Sequence, residues 1–319
     1  MRPARKALPE FLVKSTCHGN QIAALDTHNL LAAVIVATAR SYFSLPAYLK
    51  AMLSVYNTLI RHRILLRETG KQDIADRYAG QMLGMLWAFI HPVLTMLVFL
   101  FLFAFVLRMR MPEGSEVIGG WGGYVMYLLA GLVPWISLQE IMSRSIAAIT
   151  SSGNLVKQVI FPLEVLPAKM LFSAFLTQCV SLGIYFIFGI ILYGPPHATV
   201  FFLPWLIAVQ LVGSLGIALL FSAIAPFFRD IKDIVQLLCF LLMYSLPIFY
   251  TIQMVPEWVR SILMLNPLLH MVECWHDALY WGTITSPLSW IIFPVFSIFL
   301  FAAGARTFIA LKGMFGNVL

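Results

Sequence analysis

His270, Glu273, Cys274 and Asp277 fall at i, i+3, i+4 and i+7, with His276 beside them, so on a helix they would share one face. Imidazole, thiol and carboxylate are metal-competent donors. The set mixes hard and soft ligands and has no second anchor, which is weak support for a metal. Trp275, Tyr280 and Trp281 flank it and suit a short helix held at a membrane surface by amphipathic rings. That reading is adopted, and no metal site is expected. Hydrolase chemistry has less behind it, because no G-x-S-x-G occurs and the serines lie in loops or apolar runs. The only Gly-Lys pair, Gly70-Lys71, is followed by Gln72 and lacks an upstream glycine at P-loop spacing. The chain therefore lacks the P-loop means of cradling a nucleotide's phosphates. Uphill transport would need energy from a partner or an ion gradient. Ion-coupled carriers place ionisable groups at mid-membrane. Glu140, Arg144 and Lys169 instead sit near span ends, and His91 adjoins Pro92 where a helix would start.

The elements that must carry these residues are apolar. Hydrophobic residues make up 61% of the 319 positions and charged ones 11%, against roughly 45–50% and about 25% in soluble domains. Lipid must be the solvent for much of the chain. The runs Met85–Leu107, Tyr124–Ile141, Ala168–Tyr193, Phe201–Phe227, Ile234–Tyr250 and Leu288–Ala303 are each long enough to cross, or nearly so with tilt. Residues 251–287 are apolar and aromatic but broken by Pro256, Pro267, Gly282 and Pro287. Their two segments are too short to cross and suit re-entrant or interfacial helices. Ahead of the spans, Met52, Leu53, Tyr56, Leu59, Ile60 and Ile64 recur at three and four, with Arg61 and Arg67 on the other side. That pattern predicts an amphipathic helix along a membrane surface, ended by Gly70. The expected fold is an all-α integral membrane protein with six transmembrane helices. Residues 1–50 form an N-terminal cytosolic extension, 51–84 the interfacial helix and 85–315 the six-helix domain.

Charge sets the orientation. The net charge is +7, which raises nucleic acid as a partner. Residues 1–84 hold 11 of the 21 Lys and Arg, and six spans would put 18 of them on one side and three on the other. The bias places both termini in the cytoplasm and excludes nucleic acid as the main reason for the charge. Cys17, Cys179, Cys239 and Cys274 are scattered and imply neither disulfides nor zinc. No cleaved signal peptide is expected.

The run from Arg77 and Tyr78 to Trp87, followed by His91-Pro92, resembles the approach to the first span in ABC transporter permeases that export polysaccharides of the O-antigen, capsule and teichoic acid kinds. Ala79, Gly80 and Gln81 depart mildly from that family's pattern. Ala130-Gly131-Leu132-Val133-Pro134-Trp135 is similar to its second span. Asn154-Leu155-Val156-Lys157, leading to Phe161-Pro162-Leu163-Glu164 and Pro167, is similar to its first cytosolic loop, Arg229-Asp230-Ile231 to its second, and Asn266-Pro267 to its outer re-entrant segment. The resemblance covers about residues 55–315 and leaves 1–50 unassigned.

What the resemblance implies is a homodimer joined to two copies of a separate ATPase, which would hold the ATP and magnesium; this chain would hold no cofactor and catalyse nothing. Asn154, Leu155, Val156, Lys157, Phe161, Pro162, Glu164, Arg229 and Asp230 would couple to that ATPase. Tyr56, Arg61, Arg63, Arg67, Arg77, Tyr78 and Trp87 would form a gate helix and lead-in where a lipid-linked polysaccharide, on undecaprenyl or another lipid, arrives. The first and fifth spans would flank the conduit, with Phe99, Phe103, Tyr244 and Phe249 as candidate lining. A periplasmic co-polymerase or adaptor is a further partner the family allows. Export of a drug or small lipid, and less so a membrane glycosyl- or acyltransferase, stand as alternatives.

Overall fold

A long apolar run hides its backbone from hydrocarbon by becoming a helix or joining a closed barrel, and among the described residues the chain is helix and turn with no strand. The computed structural model describes residues 45–111, 121–153, 161–228 and 230–318. The chain divides into Met1–Ala47 and Tyr48–Leu319. Helices α1 (Leu45–Arg61) and α2 (Arg63–Tyr78) precede α3 (Trp87–Leu100), which continues in a wide π-helical turn over Phe101–Val106. Then come α4 (Trp121–Ser145), α5 (Val165–Tyr193), α6 (Leu203–Ile224) and α7 (Ile231–Ser245). Short helices α8 (Glu257–Met264) and α9 (Pro267–His276) and a π-turn at Asp277–Trp281 lead to α10 (Ser289–Lys312).

Among the described residues, five segments are long and apolar enough to cross a membrane: Gly84–Val106, Gly122–Ser145, Val165–Ile191, Ala198–Ile224 and Ser289–Lys312. The expected crossing at Ile234–Tyr250 is cut short. The 15 residues of α7 rise about 22 Å, less than a hydrocarbon core of roughly 30 Å. Pro247 forces the residue before it out of the helix, and Leu246 is extended at φ −81° and ψ 147°.

The helix expected over 52–68 also differs. It breaks at His62, whose φ is −105° and ψ 28°, and α2 runs on through Gly70 to Tyr78. A Cβ at Gly70 would stand 2.6 Å from the Phe172 ring. Glycine there admits α5 rather than stopping the helix. The stop is Ala79, which is extended, followed by Gly80 at φ +75°. The apolar stripe of α1 is divided as well. Met52 and Leu59 turn inward with Ala51 and Val55, toward Leu219 and Phe308, while Leu53, Tyr56 and Ile60, and Ile64 at the start of α2, stay exposed.

Helix α4 is the axis. It is buried on nearly every side and packs against α5, α6, α7 and α9, as an all-round apolar helix must. Helices α6 and α10 approach at small residues. Gly213 lies against Ser297, and a Cβ on Gly216 or Gly304 would enter the facing backbone. In the buried middle, Gln178 Nε2 donates to Gln210 Oε1 at 3.0 Å, and Gln210 Nε2 to the Pro134 carbonyl at 3.0 Å. A side chain of α6, held by one of α5, thus adds a hydrogen bond at the proline inside α4. Helix α3 presents Phe89, Leu94, Leu97, Val98 and Phe101 outward, a surface suited to acyl chains.

Candidate functional site

Three helices bring their polar positions to one end of the bundle. Asp73 and Arg77 are one turn apart on α2, Glu140 and Arg144 one turn apart on α4, and Lys169, Ser173 and Thr177 follow at that spacing on α5. The three faces meet. Arg144 Nη2 is 2.6 Å from Asp73 Oδ2, and its Nη1 donates to Glu140 Oε1 at 3.3 Å and to Ser173 Oγ. Arg77 pairs with Glu140, Lys169 lies 3.5 Å from Asp73 Oδ1, and Thr177 donates to Glu140 Oε2 at 2.6 Å. The Glu140 and Asp73 side chains are only 8% and 9% exposed, so each requires these partners. Tyr78 is buried beside the cluster with the Arg77 guanidinium 5.2 Å from its ring centre, and burial pushes its phenol up.

Among the expected lead-in residues, only Arg77 and Tyr78 join this cluster. Arg61, Arg63, Arg67 and Tyr56 are exposed along α1 and α2, and Trp87 is half-buried at the start of α3. Asp73, which locks Arg144 and Lys169, was not anticipated. Its signal is an acid one turn before Arg77, but its partners are distant in sequence.

Of the expected coupling residues, Asn154, Leu155, Val156, Lys157 and Arg229 lie outside the described residues. Phe161 and Pro162 are half-buried and Asp230 is exposed. Glu164 is buried, and its Oε1 accepts from Lys312 Nζ at 2.6 Å, which ties the loop to the end of α10.

The four expected conduit aromatics stand together. Phe99 and Phe103 of α3 meet Phe249 at ring separations of 5.1 and 4.4 Å, the latter stacked at 11°. Tyr244 of α7 reaches Phe249 at 5.7 Å, and Phe240 extends the row at 5.1 Å. Phe249 is buried, whereas Tyr244 and Phe240 are exposed.

At the opposite end of α4, the polar face of α9 is used internally. His276 Nε2 donates to the Tyr127 carbonyl at 3.1 Å and the two rings stack at 3.9 Å. Gly131 makes room for it, since a Cβ there would lie 2.9 Å from His276 Nε2. Ser289 bridges His270 Nδ1 at 2.8 Å and Glu273 Oε2 at 2.5 Å. Asp277 accepts from Thr285, the Ser286 backbone and Trp290 Nε1. Among the described residues no three His, Cys, Asp or Glu are placed to hold a metal.

A family model described as "ABC-2 type transporter" matches residues 65–280. The chain is similar to the O-antigen export system permease protein RfbA of Klebsiella pneumoniae, 28% identical over 266 residues that cover 83% of this chain and 98% of the relative. It is 28% identical to the protein of that name in Myxococcus xanthus, covering 72% of this chain and 85% of the relative. The polysialic acid transport protein KpsM of Escherichia coli is 25% identical, covering 68% and 82%.

Proposed function

Since the chain belongs to the ABC-2 type transporter family, we propose that it is the membrane subunit of an ATP-driven exporter of lipid-linked polysaccharide, of the O-antigen or capsule kind. The observation that carries this reading is the near full-length similarity to a protein named as an O-antigen export permease. A subunit of this family is a transporter component rather than a catalyst. With no P-loop in its sequence, it takes its drive from a separate ATPase that binds ATP and magnesium, two copies to a homodimer of this chain.

In this proposal the end bearing Arg77, Glu140 and Arg144 faces the cytoplasm with both termini, and α7 together with the residues after it completes a sixth span where the bilayer thins. Its support is the position of most Lys and Arg. Helix α1 lies along the inner surface, where its exposed Leu53, Tyr56 and Ile60 enter lipid. Residues 154–164 and 229–230 receive the ATPase. Glu164 passes its motion to α10 through Lys312, and α2 shares the ion-pair cluster with α4 and α5, so displacement of one is felt by the others. The sugar chain then moves along the Phe99, Phe103, Tyr244 and Phe249 row, and α8 and α9 re-enter from outside. Aromatic rings stack on sugar faces and bind none tightly, which suits passage of a polymer better than retention of a drug.

Deletion of the gene tests the reading. Full-length polymer is expected to vanish from the cell surface and accumulate inside, with both reversed by the plasmid-borne gene. Undiminished surface polymer in the deletion strain contradicts it. Phe161→Ala is the better probe of coupling than a change at Glu164, whose loss would also orphan Lys312.

A further inference from the structure

A cavity of about 480 Å³ opens between α4, the residues after α7 and the segment from α9 to Ser286, within the size range of small-ligand sites. It stands at the end of α4 away from the ion-pair cluster and shares no residue with the Phe99–Phe249 row. Its walls combine ring faces with uncommitted polar groups. Trp281 and Tyr127 line it; Trp281 is half-buried, and Tyr127 is fixed by its hydroxyl on the Pro247 and Tyr250 carbonyls and by the His276 stack. Thr251, also on the wall, is 4% exposed, and its hydroxyl has no hydrogen-bond partner among the described residues. A buried hydroxyl without a partner is costly unless something arrives to satisfy it. Gln253 adds an exposed amide, and Glu273 keeps Oε1 while Oε2 accepts from Ser289. Thr285 and Ser286 close the rim, held there by their bonds to buried Asp277.

Flat rings beside closely spaced hydroxyl, amide and carboxylate groups match a pyranose, which has an apolar C–H face and a polar hydroxyl edge. The charge on the wall is Glu273, and no Lys or Arg lines it. Arg260 donates its Nε to the Ile252 carbonyl and is not part of the wall. We propose that this cavity is a sugar-binding subsite that accepts neutral or amino sugars of the emerging polymer and disfavours acidic ones. The assignment to an emerging polymer rests on the export reading above.

The test uses the full chain in lipid nanodiscs, titrated with maltotriose, chitotriose and tri-galacturonic acid and read by saturation-transfer NMR and tryptophan fluorescence. Saturable binding of at least one of the first two is expected, with tri-galacturonic acid at least tenfold weaker. Trp281→Ala should weaken the neutral probe tenfold or more. The exposed Gln253→Ala, a milder change, should weaken it severalfold, and Glu273→Gln should narrow the gap to the acidic probe. No binding of either neutral probe, equal binding of all three, or unchanged affinity in both Trp281→Ala and Gln253→Ala overturns the subsite. Surface polymer is scored in the same strains: normal export with no sugar binding removes the subsite alone, whereas wild-type cells that export nothing through this chain remove the export reading.

Discussion

Arg144 contacts Asp73, Glu140 and Ser173 at once, so truncating it leaves nearly buried Asp73 with Lys169 alone and Glu140 with Arg77 and Thr177. Removing one partner of a buried pair costs about 3–5 kcal/mol when the other charge is left alone, and the remaining cations reduce that cost here. Arg144→Ala is therefore expected to lower the thermal midpoint of the detergent-solubilised protein by several degrees. Lys71→Ala, which removes an exposed pair with Glu68, should change it little, since water screens such a pair. Equal midpoints for Arg144→Ala and wild type would remove the cluster's structural role. Glu140, Arg144 and Lys169 were legible as charges at span ends. Asp73 was not, because a pair 71 positions apart leaves no local trace. The Ala130–Trp135 run was legible as a motif, yet the reason for its glycine, the His276 ring beside Gly131, is visible only in three dimensions.

At the scale of the helices, α6 and α10 depend on having no side chain between them at Gly216 and Gly304. Gly304→Val is expected to drive them apart and to abolish stable insertion, read as loss of monodisperse protein after solubilisation. Gly183 lies within α5 with open space around its Cα hydrogens. Gly183→Ala should stabilise by up to about 1 kcal/mol through helix propensity. A tolerated Gly304→Val would show that the helices do not need this contact. Span positions were legible because hydrophobic length is a one-dimensional property. The end of α7 was not read correctly, since Ile248, Phe249 and Tyr250 prolong the apolar run while Pro247 ends the helix. The inward turn of Met52 and Leu59 escaped for a related reason: a helix with apolar residues on two faces does not declare which one meets protein and which meets lipid.

For the molecule as a whole, the proposed arrangement puts its charged and aromatic ends on opposite sides of a membrane. In a cysteine-free background, a membrane-impermeant maleimide should label Thr283→Cys in intact cells and Gln72→Cys only after permeabilisation; the reverse pattern would invert the topology. The purified chain alone should hydrolyse no ATP. The most direct measurement follows lipid-linked polysaccharide in inside-out membrane vesicles that contain this chain and its ATPase. On adding ATP, the account predicts that the polymer becomes shielded from an added glycosidase, and that shielding is lost without the ATPase or in Arg144→Ala. Polymer that stays digestible with every component present, or that is shielded without ATP, would contradict the account.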